Sequence, residues 1–185
     1  MKRKIKEDVE IQIVSPITYN DLYVESLITE WAGIPYAQLS VTLVYLQFLA
    51  QLHKTHHWTS LGDPFYGDHL MFERMYDAVT EEIDTVAEKA VGLGSAQNVD
   101  LLLVTSQVNK LVSSFGMSQT VPTTTELVRR SFQAELTFLK SLEVLSESMN
   151  EQHVNTMGVE NMMQGIADAH EKHVYFLKQK CKRGM

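Results

Sequence analysis

Residues 53–94 run HKTHHWTSLGDPFYGDHLMFERMYDAVTEEIDTVAEKAVGLG. Gly62-Asp63-Pro64 splits this stretch into the end of one helix and the whole of another. Asp63 suits the N-cap, and Pro64 suits the first turn, where its missing N–H is no loss. Beyond the break, Phe72, Met75, Tyr76, Val79, Ile83, Val86 and Ala90 recur at steps of three and four, which sets them on one face of a long helix. Gly92 and Gly94 are its expected stops. Upstream, Leu39, Leu43, Leu46, Ala50, His53 and His57 form the stripe of a first long helix over residues 36–57. Val41, Val44, Phe48 and Leu49 fill much of its remaining surface, so it should be buried on more than one side.

The same period extends outward. Residues 20–31 read as a short helix closed by Gly33 and Pro35, and residues 9–14 as a strand or extended arm before it. A shorter helix is expected over residues 99–115, using Leu102, Leu103 and Leu111. Thr123 with Glu126 makes a capping box that opens a third long helix. Its expected core face is Val128, Phe132, Leu136, Leu139 and Leu142, and it should fade near Asn150. A fourth, over residues 159–180, aligns Met162, Ile166, His170, His173 and Leu177. Four long amphipathic helices, with a short one between the second and third, predict an all-α four-helix bundle. The expected division is an N-terminal arm at 1–19, the bundle at 20–182 and a tail at 183–185.

A length of 185 residues suits one compact unit, and 44% hydrophobic with 21% charged residues and no low-complexity tract excludes disorder and fibrous repeats. The basic opening is followed by Glu7, Asp8 and Glu10 where a secretory signal needs an apolar core, so no export is expected. The apolar run 39–52 is too short to span a bilayer. With one cysteine, Cys181, no internal disulfide can form, and a reducing, cytoplasmic setting is the expectation. Charge is unevenly spread. Lys2, Arg3, Lys4, Lys6, Lys178, Lys180, Lys182 and Arg183 are eight of sixteen basic residues, and no acid accompanies them. The body between therefore carries eight basic against twenty-three acidic residues, a net of −15. Such a body attracts cations and leaves only the termini to a polyanion.

The chemistry gathers at the first junction. His53, His56, His57 and His69 precede Glu73, Asp84 and Glu88, the mixed imidazole and carboxylate set that iron, manganese or zinc prefers. Taken singly, an acid on a helix is ordinarily a solvated face, and a histidine on an apolar stripe a packed core residue. Taken together they are more. At 100° per residue, His69, Glu73, Asp84 and Glu88 fall at roughly 0°, 40°, 60° and 100°, a single flank of the second long helix. His69 and Glu73 lie one turn apart, as do Asp84 and Glu88, so each pair can reach one ion. The pairs are separated by about 16 Å of helix rise, too far to share a metal within one chain. Either there are two half-sites, or a two-fold dimer sets the first pair of one subunit against the second pair of the other. The dimer is preferred, because an isologous interface yields two equal sites automatically.

The run His57-Trp58, Gly62, Phe65, His69, Glu73, Asp84 and Ala87-Glu88 resembles the signature of the Dps family, the small DNA-protecting members of the ferritin-like superfamily. Residues 165–177 resemble that family's last helix, and the resemblance extends over roughly 36–94 and 123–180. It implies a ferritin-like four-helix bundle in a homo-oligomeric shell, a dodecamer built from two-fold dimers. The sites at those interfaces would be ferroxidase centres with two iron positions each. His57, His69 and Glu73 would come from one subunit, with Asp84 and Glu88 from its partner, as both metal ligands and catalytic residues. The family oxidises Fe(II), typically with hydrogen peroxide, and stores the Fe(III) product, which limits radical damage to DNA. Trp58 would lie near the site, as an electron or radical sink or, more simply, as buried aromatic packing. The chain departs from the family at Glu73, more often Asp, and at Lys89, commonly Arg. Residues 95–122 match least well.

Other chemistries lack their motifs. There is no Glu-x-x-His pair for a bundle-internal di-iron site, no His-Glu-x-x-His zinc motif, no phosphate loop and no nucleophile elbow. His170 and His173 have no carboxylate at ligand spacing on their own helix and read as structural. The second reading is a nucleoid protein that compacts DNA through basic termini by multivalency, with little iron chemistry. Four charges at each end are few for that task.

Overall fold

In a computed structural model, residues 21–115 and 122–183 are described. They form α1 (Asp21–Thr29), α2 (Ala37–Thr59), α3 (Phe65–Leu93), a 3₁₀ turn (Ala96–Val99), α4 (Leu101–Ser114), α5 (Thr124–Glu151) and α6 (Met157–Arg183). No strand occurs among the described residues. The arm at 1–19, with the reading of residues 9–14 and the basic residues Lys2, Arg3, Lys4 and Lys6, lies outside them.

The four long helices α2, α3, α5 and α6 make the bundle, as the helical period requires. Packing is most extensive between α2 and α3 and between α5 and α6, while α3 and α6 barely touch. Val41, Leu46, Phe48 and Leu49 of α2 are all buried, so α2 is the central stave. Phe138, Leu145, Ile166, Val79 and Val86 close on it from the other three helices. The short α1 seats Val24, Leu27 and Trp31 against the same core.

Several boundaries differ from expectation for local reasons. Asp63 does not cap α3: Gly62 turns the chain at φ 79°, and the cap position falls on Pro64 with no side-chain hydrogen bond. Before α4, residues 96–99 form a separate 3₁₀ turn, and Asp100 then caps α4 by accepting from the Leu103 N–H at 2.8 Å. That cap sets the phase of α4 so that Val104, Val108 and Leu111 face inward while Leu102 is 83% exposed. Thr123 does cap α5, accepting from the Glu126 N–H, but the Glu126 carboxylate turns to Arg130 instead of closing the box. The inward face of α5 is Leu127, Ser131, Ala134, Glu135, Phe138 and Leu142, and Leu136 is exposed. Ser131 and Glu135 turn inward because histidines of α2 and α6 meet them there.

The α3–α4 corner is held by Asn98, which is fully buried. Its amide nitrogen donates to the carbonyl of Pro35 at 2.8 Å and to Ser40 Oγ at 3.0 Å, and its oxygen accepts from the Ser95 N–H. Gly94 lies under this clamp. A Cβ there would stand 2.9 Å from the carbonyl oxygens of Ala90 and Pro35 and closer still to Asn98 Oδ1. Gly94→Ala is therefore expected to lower the unfolding free energy by about 1–3 kcal/mol, as overpacking against backbone does. Gly92→Ala, whose Cβ meets nothing within 4 Å, should stay within about 0.5 kcal/mol of the parent. Equal urea midpoints for the two variants would contradict this.

Candidate metal centre

His57, near the end of α2, and His69, in the second turn of α3, face each other across the 60–64 connection. The Nδ1–H of His57 donates to the His69 carbonyl, and the Nδ1–H of His69 donates to the His57 carbonyl, each at 2.9 Å. The rings stack with centroids 3.6 Å apart. Phe65 stacks on the outer face of His69, and the Tyr76 ring stands edge-on to His57. The reciprocal bonds place a proton on each Nδ1 and turn each Nε2 away from the backbone carbonyls. Two imidazole rings are thus held in a fixed mutual orientation.

Glu73 lies one turn beyond His69 and is half-buried, while Asp84 and Glu88 are exposed on the same helix. The structure brings His57 and His69 together, while Asp84 follows Glu73 by eleven residues, about 16 Å further along α3, with Glu88 a turn beyond it. Within one protomer, the five side chains do not form one coordination sphere. Trp58 is 67% exposed, with Lys54 Nζ 5.6 Å from its ring centroid. It therefore does not pack in the protomer's core.

A second group lies inside the bundle, and the sequence reading missed its centre. Glu135 of α5 is fully buried and accepts from three imidazoles: His53 Nε2 at 2.7 Å, His173 Nδ1 at 3.1 Å and His170 Nδ1. His170 Nε2 also donates to Glu82 Oε2 at 2.8 Å. Beyond His53, the Ser131 hydroxyl links His53 Nδ1 at 3.3 Å to His56 Nδ1 at 2.8 Å. Burial pushes the Glu135 carboxyl up, but the charge and hydrogen bond of His170, with the bonds from His173 and His53, hold it well below the ordinary range. Burial likewise works against the charged form of His170, yet Glu135 and Glu82 together push it up to about 9. At His53 burial prevails over Glu135 and pushes the imidazole down from its ordinary value. Burial, the nearby His53 and Arg130 take His56 down to about 3. Glu135 and His170 thus form a buried ion pair.

His170 and His173 were expected to be structural for want of a carboxylate on their own helix. The carboxylate comes from α5 instead. The signal was present as Glu135 among Ala134, Phe138 and Leu142, an acid in register with an apolar face, but its partners lie 35 and more residues away.

Residues 37–184 match the family model of the ferritin-like domain, and the chain belongs to that family. Its fold is that of the Dps proteins. The X-ray structure of Dps from Thermosynechococcus elongatus superposes with a TM-score of 0.62 at 18% identity, over 86% of this chain and 92% of that one. The tetragonal form of Mycobacterium smegmatis Dps gives 0.64 at 15% identity, over 87% and 88%. At these identities the likeness is one of fold. Among curated protein sequences nothing matches.

Proposed function

We propose that the protein is a Dps-type ferroxidase and iron-storage subunit. It assembles through two-fold dimers into a dodecameric shell in the cytoplasm and oxidises Fe(II) with hydrogen peroxide or oxygen. The Fe(III) product is stored inside, which protects DNA from oxidative damage. His57, His69 and Glu73 of one subunit hold the iron together with Asp84 and Glu88 of the next, two iron positions to a site. One observation carries this reading: the reciprocal Nδ1-to-carbonyl bonds of His57 and His69 leave two Nε2 atoms open beside Glu73, while Asp84 and Glu88 lie too far along α3 to join them within the protomer. Membership in the ferritin-like family supports it. So does the acidic body, which concentrates cations around the particle. No helix among the described residues is long and apolar enough to cross a membrane.

DNA compaction through the basic termini draws less support. Lys180 is committed to Asp68, which is buried, with Nζ 2.5 Å from Oδ1. One of the four C-terminal cations is thus partly spent inside the protein.

Ferrous oxidation with peroxide, followed by the growth of ferric absorbance, tests the reading. The Asp84→Ala, Glu88→Ala variant should fall to the background rate while a gel shift at two salt concentrations is unchanged. Undiminished oxidation would refute the ligand assignment.

A further inference from the structure

We propose that His53, Glu135 and His173 bind a single divalent transition-metal ion within one protomer, at a second centre separate from the inter-subunit one. Each side chain offers one ligand atom, and the three atoms lie within 4.8 Å of one another. They come from three different helices, α2, α5 and α6, so the bundle itself fixes their approach. The two imidazole nitrogens converge on one oxygen, Glu135 Oε1, at 2.7 and 3.1 Å. Separations of roughly 3 Å are the edges formed by ligands that stand about 2.0–2.2 Å from one ion. A small outward movement of the rings makes room for it.

The surroundings suit an ion as well as they suit the protons now there. Neutral histidine must give its lone pair to a metal, so the proton of His53 has to sit on Nδ1. The Ser131 hydroxyl beside Nδ1 can accept that proton's hydrogen bond and donate its own to His56 Nδ1, so the same three groups serve either tautomer. His170 holds the other carboxylate oxygen of Glu135 and is itself anchored by Glu82, which orients the acid. Two imidazoles and one carboxylate favour zinc, ferrous iron or cobalt over calcium and magnesium, which prefer all-oxygen shells. This is a three-ligand, one-ion arrangement, without the Glu-x-x-His pairs of a bundle-internal di-iron centre.

Access is also provided. Because α3 and α6 barely touch, a cavity of about 610 Å³ opens between them, walled by Met71, Met75, Arg74 and Phe176, and His173 forms part of its lining. His173 is 8% exposed, whereas His53 and Glu135 are sealed. The ion therefore enters past His173, and the cavity side leaves a coordination position for water or a small ligand. Since all three ligands belong to one chain, this inference stands whether or not the inter-subunit reading holds.

Cobalt(II) is the probe, because its visible absorption reports nitrogen and oxygen ligation directly. Titrated into metal-free His57→Ala, His69→Ala, Asp84→Ala, Glu88→Ala protein, where the inter-subunit site has lost its imidazoles and its partner acids, Co(II) should bind at about one ion per subunit with a ligand-field spectrum. His173→Gln added to that background should weaken binding by about tenfold or more. Unchanged affinity in the His173→Gln variant, or no binding in the parent background, would overturn the proposal. A crystal of the unsubstituted protein soaked in Co(II) gives an answer that does not depend on the variants folding. An anomalous peak between His53 Nε2 and His173 Nδ1 is expected, and peaks only elsewhere would overturn it.

Discussion

Glu135→Ala is expected to be among the most destabilising single substitutions in the chain, lowering the unfolding free energy of the metal-free protein by about 3–5 kcal/mol. For a domain of this size that shifts the melting temperature by on the order of 10 °C. The side chain is fully buried and is the common acceptor of His53, His170 and His173. Its removal leaves three ring N–H groups without their acceptor. His170 is the costly one: it is charged between two carboxylates, with a pKa pushed up to about 9, and would keep only Glu82. The magnitude comes from stranding a charge in the interior, and the intact pair need not add much net stability. Removing both partners should therefore be milder than the sum of the parts. Glu135→Ala with His170→Ala is expected to cost less than the two single changes added together, a coupling that a double-mutant cycle in urea reads directly. Asp168→Ala, which breaks the exposed pair with Lys172, should move stability by less than about 0.5 kcal/mol. A Glu135→Ala loss as small as that of Asp168→Ala would show that the group is not a buried ionic centre.

Most of the architecture was legible in local order. The alternating three and four spacing placed α2, α3 and α6 within a few residues of their observed ends, because burying an apolar face is what makes those helices form. Thr123 and Glu126 marked the start of α5 through a cap that depends only on neighbouring atoms. Where the reading slipped, the deciding contact was remote or competing. Gly62 turns the chain at positive φ and the cap position falls on Pro64, with no side-chain hydrogen bond at the α3 entry. Leu136 was assigned to the core and Glu135 was not, because hydrophobicity alone cannot foresee an inward carboxylate met by imidazoles from two other helices.

The two candidate centres show the same division. His57 and His69 are twelve residues apart across one connection, and the family resemblance implied that they share a site. His53 and Glu135 are 82 apart, and only the folded bundle joins them. The acids Asp84 and Glu88 belong to neither arrangement within a protomer. Their role rests on the symmetry argument, which makes a quantitative prediction of its own.

In an isologous dimer each site takes its imidazoles from one chain and Asp84 and Glu88 from the other. A His57→Ala, His69→Ala chain has sound acids, and an Asp84→Ala, Glu88→Ala chain has sound imidazoles. Each assembles alone into particles in which every site is defective. In a mixed dimer one site combines both defects and the other is intact. Random co-assembly of equal amounts therefore restores about a quarter of the sites.

The decisive measurement is peroxide-driven ferrous oxidation by such co-assembled particles, prepared by mixing the two unfolded variants and refolding them together. The predicted outcome is near-background activity for each variant alone and about a quarter of the parent rate for the mixture. A mixture no more active than its components, with particles confirmed as mixed by mass, would contradict the claim that partner subunits complete the site.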